Sequence, residues 1–410
     1  MRIKFSLLFF LSFTHSAFSQ NTLNDYLESA IKNSPVFTDN QNQMRSLEFD
    51  SMRLHAGYKP KVNFTSTDFY APILNGYGYD EIITNGGNYN ALLGVNYTLF
   101  GKNNLKNQYS SFYIERQILE LNSKVSERDL KQLVSAQYIT VFGEQQVLAN
   151  VKNVLDVLKE EDLLLKSIAQ KGIYRQTDYL SFFVSYKQQE LAYSQQKLQA
   201  QNDFYLLNYL CGIVDTAYIL LTDPSLSTSA GYSHEKTIQF HRFYLDSLKI
   251  QNSFEQLKFN YKPKLTLLGD AGYNTSFIYH AERNFGASVG LNFSVPIIDG
   301  GQRKLQGEKF KLAENTRLKQ IDFFKNQYNM KQMQLLQQLT ETEKLIEEAK
   351  GQFKISETLL KANNKLLEIG DLKIPEYVLS MVNYISLQST MQQLITNKMQ
   401  LINQYNYLNY

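Results

Sequence analysis

Between Ala287 and Val295 the side chains alternate. Ala287, Val289, Leu291, Phe293 and Val295 take one phase, and Ser288, Gly290, Asn292 and Ser294 take the other. Tyr89 to Leu99 does the same, with Tyr89, Ala91, Leu93, Val95, Tyr97 and Leu99 set against Asn90, Leu92, Gly94, Asn96 and Thr98. Leu265 to Asn274 alternates too, while Val62 to Ala71 alternates least. A period of two gives a strand one apolar and one polar face. The chain therefore predicts four strands, at about 62–71, 89–99, 265–275 and 286–295. Strands of this kind suit either a half-buried soluble sheet or an outer-membrane barrel. Tyrosines at their ends (Tyr70, Tyr77, Tyr79, Tyr89, Tyr273, Tyr279) favour the membrane, where amphipathic rings sit at headgroup level. Bacterial barrels have an even count of at least about eight strands, so a barrel reading requires several chains.

The remaining pattern is helical. From Lys102 to Lys171 there is no proline and one glycine, Gly143, and apolar residues recur at sevens: Leu105, Phe112, Leu119, Leu133, Val147 and Val154. Val147, Val151, Val154 and Leu158 then step by four, three and four, a coiled-coil seam. A helix of some seventy residues spans roughly 105 Å at 1.5 Å per residue. The 7 prolines of the chain leave 72 to 224 and 296 to 375 free of this breaker. Helices are expected at about 22–58, 102–171 and 176–212, and again at about 237–261, 303–369 and 375–409. Pro375 suits the first turn of its helix, where a missing N–H costs nothing.

The order of elements is written twice. Tyr58-Lys59-Pro60-Lys61 recurs as Tyr261-Lys262-Pro263-Lys264, Gly94-Val95-Asn96-Tyr97-Thr98 as Gly290-Leu291-Asn292-Phe293-Ser294, and Gly172 with Tyr179-Leu180 as Gly370 with Tyr377-Val378. The offsets are 203, 196 and 198 residues. Each repeat reads helix, strand, strand, long helix, glycine break, helix. The first covers about 20–222 and the second 237–410, joined by a linker at 223–236 rich in Ser, Thr and Pro.

The chain of 410 residues opens with Arg2 and Lys4, an apolar run from Phe5 to Phe13, and Ala17-Phe18-Ser19 before Gln20. This reads as a secretory signal peptide over residues 1–19, in preference to a buried first helix. The formal charge of +3 falls to +1 when Arg2 and Lys4 leave, so there is no electrostatic case for nucleic acid as a partner. One cysteine, Cys211, makes no intramolecular disulfide and is expected to be buried and inert.

Candidate chemistry is sparse. The histidines (His15, His55, His234, His241, His280) are scattered, without metal-ligand spacing. Met330 and Met333 share a helical face, and Met381, Met391 and Met399 lie on the last helix; core packing explains them better than Cu(I) binding. Asp299-Gly300-Gly301 with Lys304 lacks phosphate-loop spacing and reads as a turn. Glu160-Glu161-Asp162 and the glutamates from Glu341 to Glu348 read as solvated faces of long helices. No constellation for nucleophilic catalysis is present, so no enzyme, metal or cofactor is expected.

The mature chain as a whole resembles the outer-membrane efflux protein family, the TolC-like channels. The residues carrying this are Val295-Pro296-Ile297-Ile298-Asp299-Gly300-Gly301-Gln302-Arg303, similar to the family's strand-to-helix junction, and its degenerate partner Thr98-Leu99-Phe100-Gly101-Lys102. Ala30-Ile31-Lys32-Asn33-Ser34-Pro35 resembles the opening helix, the Tyr-Lys-Pro-Lys pairs its strand entries, and Gly172–Leu180 and Gly370–Leu379 its periplasmic helix breaks. The resemblance implies a mixed α and β membrane fold: a homotrimer closing one twelve-stranded β-barrel over a long coiled-coil periplasmic tunnel. It also implies an outer-membrane exit channel for a tripartite efflux pump or for type I secretion. Its partners would be a periplasmic adaptor (membrane fusion) protein, an inner-membrane transporter and outer-membrane lipid.

By the same resemblance, Asp178 and Glu376, each six residues past its glycine, form the periplasmic gate, with Arg175 and Lys373 placed to pair with them. Leu372 stands where a gate arginine can occur, and Leu379 where a second acid can occur. The plainer reading of both acids is a helix N-terminal residue favoured by the macrodipole. The competing reading of the whole chain is a periplasmic coiled-coil structural or adhesion protein with a small sheet.

Overall fold

The computed structural model describes residues 21–79, 87–99, 102–172, 174–229, 233–276 and 283–410. The expected leader, Gly101 and Tyr279 lie outside them. The described residues form seven α-helices, α1 (Leu23–Asn33), α2 (Pro35–Gly57), α3 (Lys102–Gln170), α4 (Gln176–Cys211), α5 (Ile238–Asn260), α6 (Gln302–Glu368) and α7 (Ile374–Leu408), and a 3-10 turn at His234–Lys236. The strands are β1 (Lys61–Tyr70), β2 (Gly87–Thr98), β3 (Lys264–Thr275) and β4 (Phe285–Ser294).

The opening helix is two helices. Thr22 caps α1: its Oγ1 accepts the Asp25 N–H at 3.3 Å, and Asp25 Oδ2 accepts the Thr22 N–H at 3.2 Å. The break falls at Ser34, which is extended (φ −73, ψ 124) because the ring of the following proline disfavours the helical region. Pro35 then begins α2.

The described residues form two compact units that each draw on both sequence repeats. One contains the segment ending at Ser34, the chain from Glu127 to the linker, and Lys331–Tyr410. Its core gathers Tyr26 and Ala30 of α1, Val134, Tyr138, Val141 and Phe142 of α3, Phe204, Leu207 and Cys211 of α4, and Leu221. The expected seam residue Leu133 is 52% exposed while Val134 is fully buried. A helix of 3.6 residues per turn drifts off a strict seven-residue repeat, and over several heptads the neighbouring position takes the inward place. Burial pushes the Cys211 thiol up to about 12, which leaves it unreactive.

The segment after α4 has no regular structure and is held by side chains. The Tyr138 hydroxyl lies 2.7 Å from the carbonyls of both Asn21 and Thr222. The Gln145 amide donates to Ile219 O (2.8 Å) and accepts from Leu221 N (2.9 Å). Further on, Asn406 accepts from Ser229 N (2.8 Å) and donates to Ser227 O (2.9 Å). These contacts supply partners that a helix or sheet would otherwise give the backbone. At Gly143 α3 passes close to α7: a Cβ there would come within 2.5 Å of Thr396 Oγ1.

The other unit contains Pro35–Ser126 and the chain from the linker to Met330. Its sheet is antiparallel in the order β1-β2-β3-β4, so the two repeats join at the β2–β3 pair. Register turns the sequence alternation into two continuous faces, since directly paired residues share a face. Val62, Val95, Gly269 and Val289 form one row; Phe64, Leu93, Ala271 and Ala287 form the next on the same side. Tyr97, Leu267 and Leu291 extend that side. Asn63, Gly94, Asp270 and Ser288 form a row on the opposite side, where the Ser288 hydroxyl donates to Asp270 at 2.6 Å.

The weak alternation of β1 has a positional cause. Val62 and Phe64 continue the apolar face, but the same side ends in Ser66, Asp68 and Tyr70, and Asp68 pairs with Tyr89. The apolar face is uncovered: Phe64 is 67% exposed, Val289 83% and Phe293 64%. No helix of the described residues is long and apolar enough to cross a membrane.

Candidate functional site

The two glycine breaks lie in the same compact unit and are built alike. Both glycines adopt left-handed backbone, Gly172 at φ +76 and Gly370 at φ +80. At the second, Asp371 N–H donates to Leu366 O (2.9 Å) and Gly370 N–H to Leu367 O (3.1 Å), a paired closure of the last α6 carbonyls. A glycine tolerates this conformation without a Cβ clash.

Three residues later comes a basic N-cap, Arg175 for α4 and Lys373 for α7, both extended and without side-chain caps. Asp178 and Glu376 then fall in the first turns, at equivalent places, where their N–H groups bond Arg175 O (3.1 Å) and Lys373 O (3.0 Å). Pro375 is the second residue of α7, where its missing N–H leaves no intrahelical bond unmade. The macrodipole favours both acids. Among the described residues, neither Arg175 nor Lys373 forms an ion pair with either acid. Each basic residue sits at an exposed N-cap, with its acid one turn on.

What joins the two tips is apolar. Val154, Leu158 and Leu165 of α3, Phe182 and Tyr186 of α4, Leu367 of α6, and Ile374, Tyr377 and Met381 of α7 share one core. Tyr174 adds the polar tie between repeats: its hydroxyl donates toward Leu372 O (2.8 Å), with Leu367 O at 3.3 Å. Burial raises the Tyr174 phenol, so it remains a donor. Tyr179 hydrogen-bonds Asp162 at 3.1 Å. The repeat alignment pairs Tyr174 with Leu372, so each is the other's counterpart and the contact joins equivalent positions of the two repeats. Sequence alone gave no signal for this contact.

One charge-run residue is misplaced by the sequence reading. Glu161 is 7% exposed, whereas its neighbour Glu160 is exposed. Leu158, Glu161 and Leu165 continue the four–three stepping of the seam, which turns Glu161 inward.

At the strand-to-helix junction, Pro296 and the residues after it are exposed and irregular. Asp299 caps α6, accepting from Gly301 N (3.0 Å) and Arg303 N (2.8 Å). These bonds hold its carboxyl below the usual carboxylate range. Gly300 and Gly301 take left-handed backbone (φ +62 and +85) to make the turn. No group of three or more metal-ligating side chains occurs among the described residues.

An antiparallel sheet with one uncovered apolar face, two helices of 69 and 67 residues, and paired glycine-broken helical tips define the fold of outer-membrane channels. The chain is similar over 94% of its length to the outer membrane protein VceC from Vibrio cholerae (TM-score 0.74, 14% identity, 96% of that chain). It is likewise similar to the Campylobacter jejuni CmeC outer membrane channel (TM-score 0.73, 13% identity, 94% of this chain and 85% of that one). The open state of the Neisseria gonorrhoeae MtrE outer membrane channel matches with TM-score 0.71 and 13% identity, over 95% of this chain and 89% of that one. No protein-family model and no curated protein sequence matches the chain.

Proposed function

We propose that the chain is an outer-membrane exit channel, a passive conduit that three copies build together. The observation that carries this reading is the sheet. Among the described residues its apolar face is continuous across four strands and uncovered, and both outer strands lack a neighbour on one side. An open sheet edge is not tolerated in lipid, because its backbone groups find no partner there. Pairing β4 of one copy with β1 of the next removes every edge and gives twelve strands from three chains. Lipid then covers the apolar side, and the side carrying Asn63, Asp270 and Ser288 lines water.

The helices leave matching surfaces. On α4, Val184, Leu191, Leu198 and Tyr205 are exposed at steps of seven, and Ile355, Leu359 and Leu366 are exposed on α6, with Ile369 just past its end. Exposed seams of this period are the usual contact of helix with helix. They fit the neighbouring copies of a helical tunnel better than a free-standing periplasmic coiled-coil protein, which would also have no use for an apolar sheet face. A periplasmic adaptor would meet the tips, where Leu180 and Leu379 are exposed beside Asp178 and Glu376. An inner-membrane transporter supplies the energy. Efflux is the favoured use, and type I secretion is the alternative for the same duct.

Asp178 and Glu376, with Arg175 and Lys373, form the constriction in this reading. Three copies of each acid on one axis repel one another and concentrate cations. In planar bilayers the protein should conduct, and Asp178→Ala with Glu376→Ala should reduce cation preference and alter the closed-state conductance. Unchanged reversal potential and conductance in the double variant would remove the acids from the gate. No conductance from the wild-type protein would remove the channel.

A further inference from the structure

The core joining the two tips contains a polar pair. On α3, Glu161 stands between Leu158 and Leu165 at seam spacing; on α6, Asn364 stands between Leu360 and Leu367 in the same way. The Asn364 amide lies beside the Glu161 carboxyl, and Glu161 Oε2 and Asn364 Oδ1 are both buried without partners. Two acceptors left over on one acid–amide pair are what a single proton would reconcile. On Oε2, the proton donates to Asn364 Oδ1 while Asn364 Nδ2 donates to the other carboxylate oxygen.

We propose that Glu161 and Asn364 form a proton-binding latch that ties the two repeats together above the glycine breaks. With the proton bound, the acid–amide pair is satisfied and α3 stays packed on α6. Without it, a carboxylate charge is buried among Leu158, Leu165, Leu367 and Tyr377 with one oxygen unpartnered, and the packing loosens. The inference rests on the channel reading only for its consequence, which is a gate region easier to open at higher pH.

The surroundings favour the neutral acid. Burial is the main cause that raises the Glu161 carboxyl; Glu368 on α6 and Glu160 on its own helix raise it further, and the Asn364 hydrogen bond opposes them. From α7 the facing titratable group is the Tyr377 phenol, itself raised by burial and by Glu161. From α4 the core receives Phe182 and Tyr186, with Tyr179 bonded to Asp162 and not to Glu161. An acid held above its ordinary range stabilises the packed form fully below that range. The contribution is lost as pH rises through the raised value.

The test uses the full chain in detergent. Infrared difference spectra between pH 5 and pH 8 should show a protonated-carboxyl band lost on raising the pH, absent in Glu161→Gln and retained in Glu160→Gln. Hydrogen exchange of residues 155–168, taken as protection factors, should fall with rising pH in the wild type. The fall should be about tenfold for each unit by which the carboxyl is displaced. It should be flat in Glu161→Gln, whose amide reproduces both hydrogen bonds without a titrating proton. A Glu161 carboxyl titrating in the ordinary range, or protection independent of pH in the wild type, overturns the latch and leaves the channel reading standing. A raised titration in a protein that does not conduct overturns the channel reading and leaves the latch.

Discussion

The sheet and the helical tips solve opposite problems. At the tips, side chains from α3, α4, α6 and α7 bury one another, and Tyr174 ties the repeats through carbonyls of α6 and the turn. That region completes itself within one chain. In the sheet, β1 and β4 are exposed along every residue, and the apolar rows face outward. That region is a fragment, and under the proposed function its partners are lipid and further strands. The contrast teaches where to look for assembly: in the element whose polar and apolar groups one chain leaves unsatisfied.

The comparison is sharpened most by removing an aromatic from the self-sufficient region. Tyr377 is 1% exposed in the tip core, so Tyr377→Ala should cost about 3–5 kcal/mol. Calorimetry should show a loss of helical melting temperature while β-structure and copy number in detergent persist. Next comes the sheet. Leu291→Arg on the apolar face should cost roughly 2–4 kcal/mol per chain if lipid covers it, and Asn292→Arg, one residue away on the other face, far less. Refolding yields into bilayers compare the two; equal yields would break the assignment of faces. The smallest effect is Tyr174→Phe, which removes one hydroxyl and should cost about 1 kcal/mol, read as a small fall in the midpoint of denaturant unfolding.

Much of this was legible in the sequence because its signals are local. Period-two alternation marked the strands, the recurring glycines Gly172 and Gly370 marked the tips, and proline-free runs marked α3 and α6. Asp299-Gly300-Gly301 was legible as a turn, whereas the cap that Asp299 makes for α6 was not. Three further things needed coordinates. The join between β2 and β3 is a pairing of residues far apart in the chain, and no local pattern encodes it. Leu133 yields its inward place to Val134 through accumulated helical drift. Glu161 was hidden by company: flanked by Glu160 and Asp162 it reads as part of a solvated run, although the four–three stepping from Val147 through Leu158 leads to it. The tip acids are a different case. They take equivalent places in the first turns of α4 and α7, but the described residues of one chain provide neither the axis nor a basic partner that would make them a gate.

The central claim is that the sheet is closed by other copies of the chain. The mature protein, extracted from membranes in mild detergent, can be weighed by light scattering with the detergent contribution subtracted. The account predicts a protein mass of three chains. A monomer would leave four strands with open edges and would contradict it.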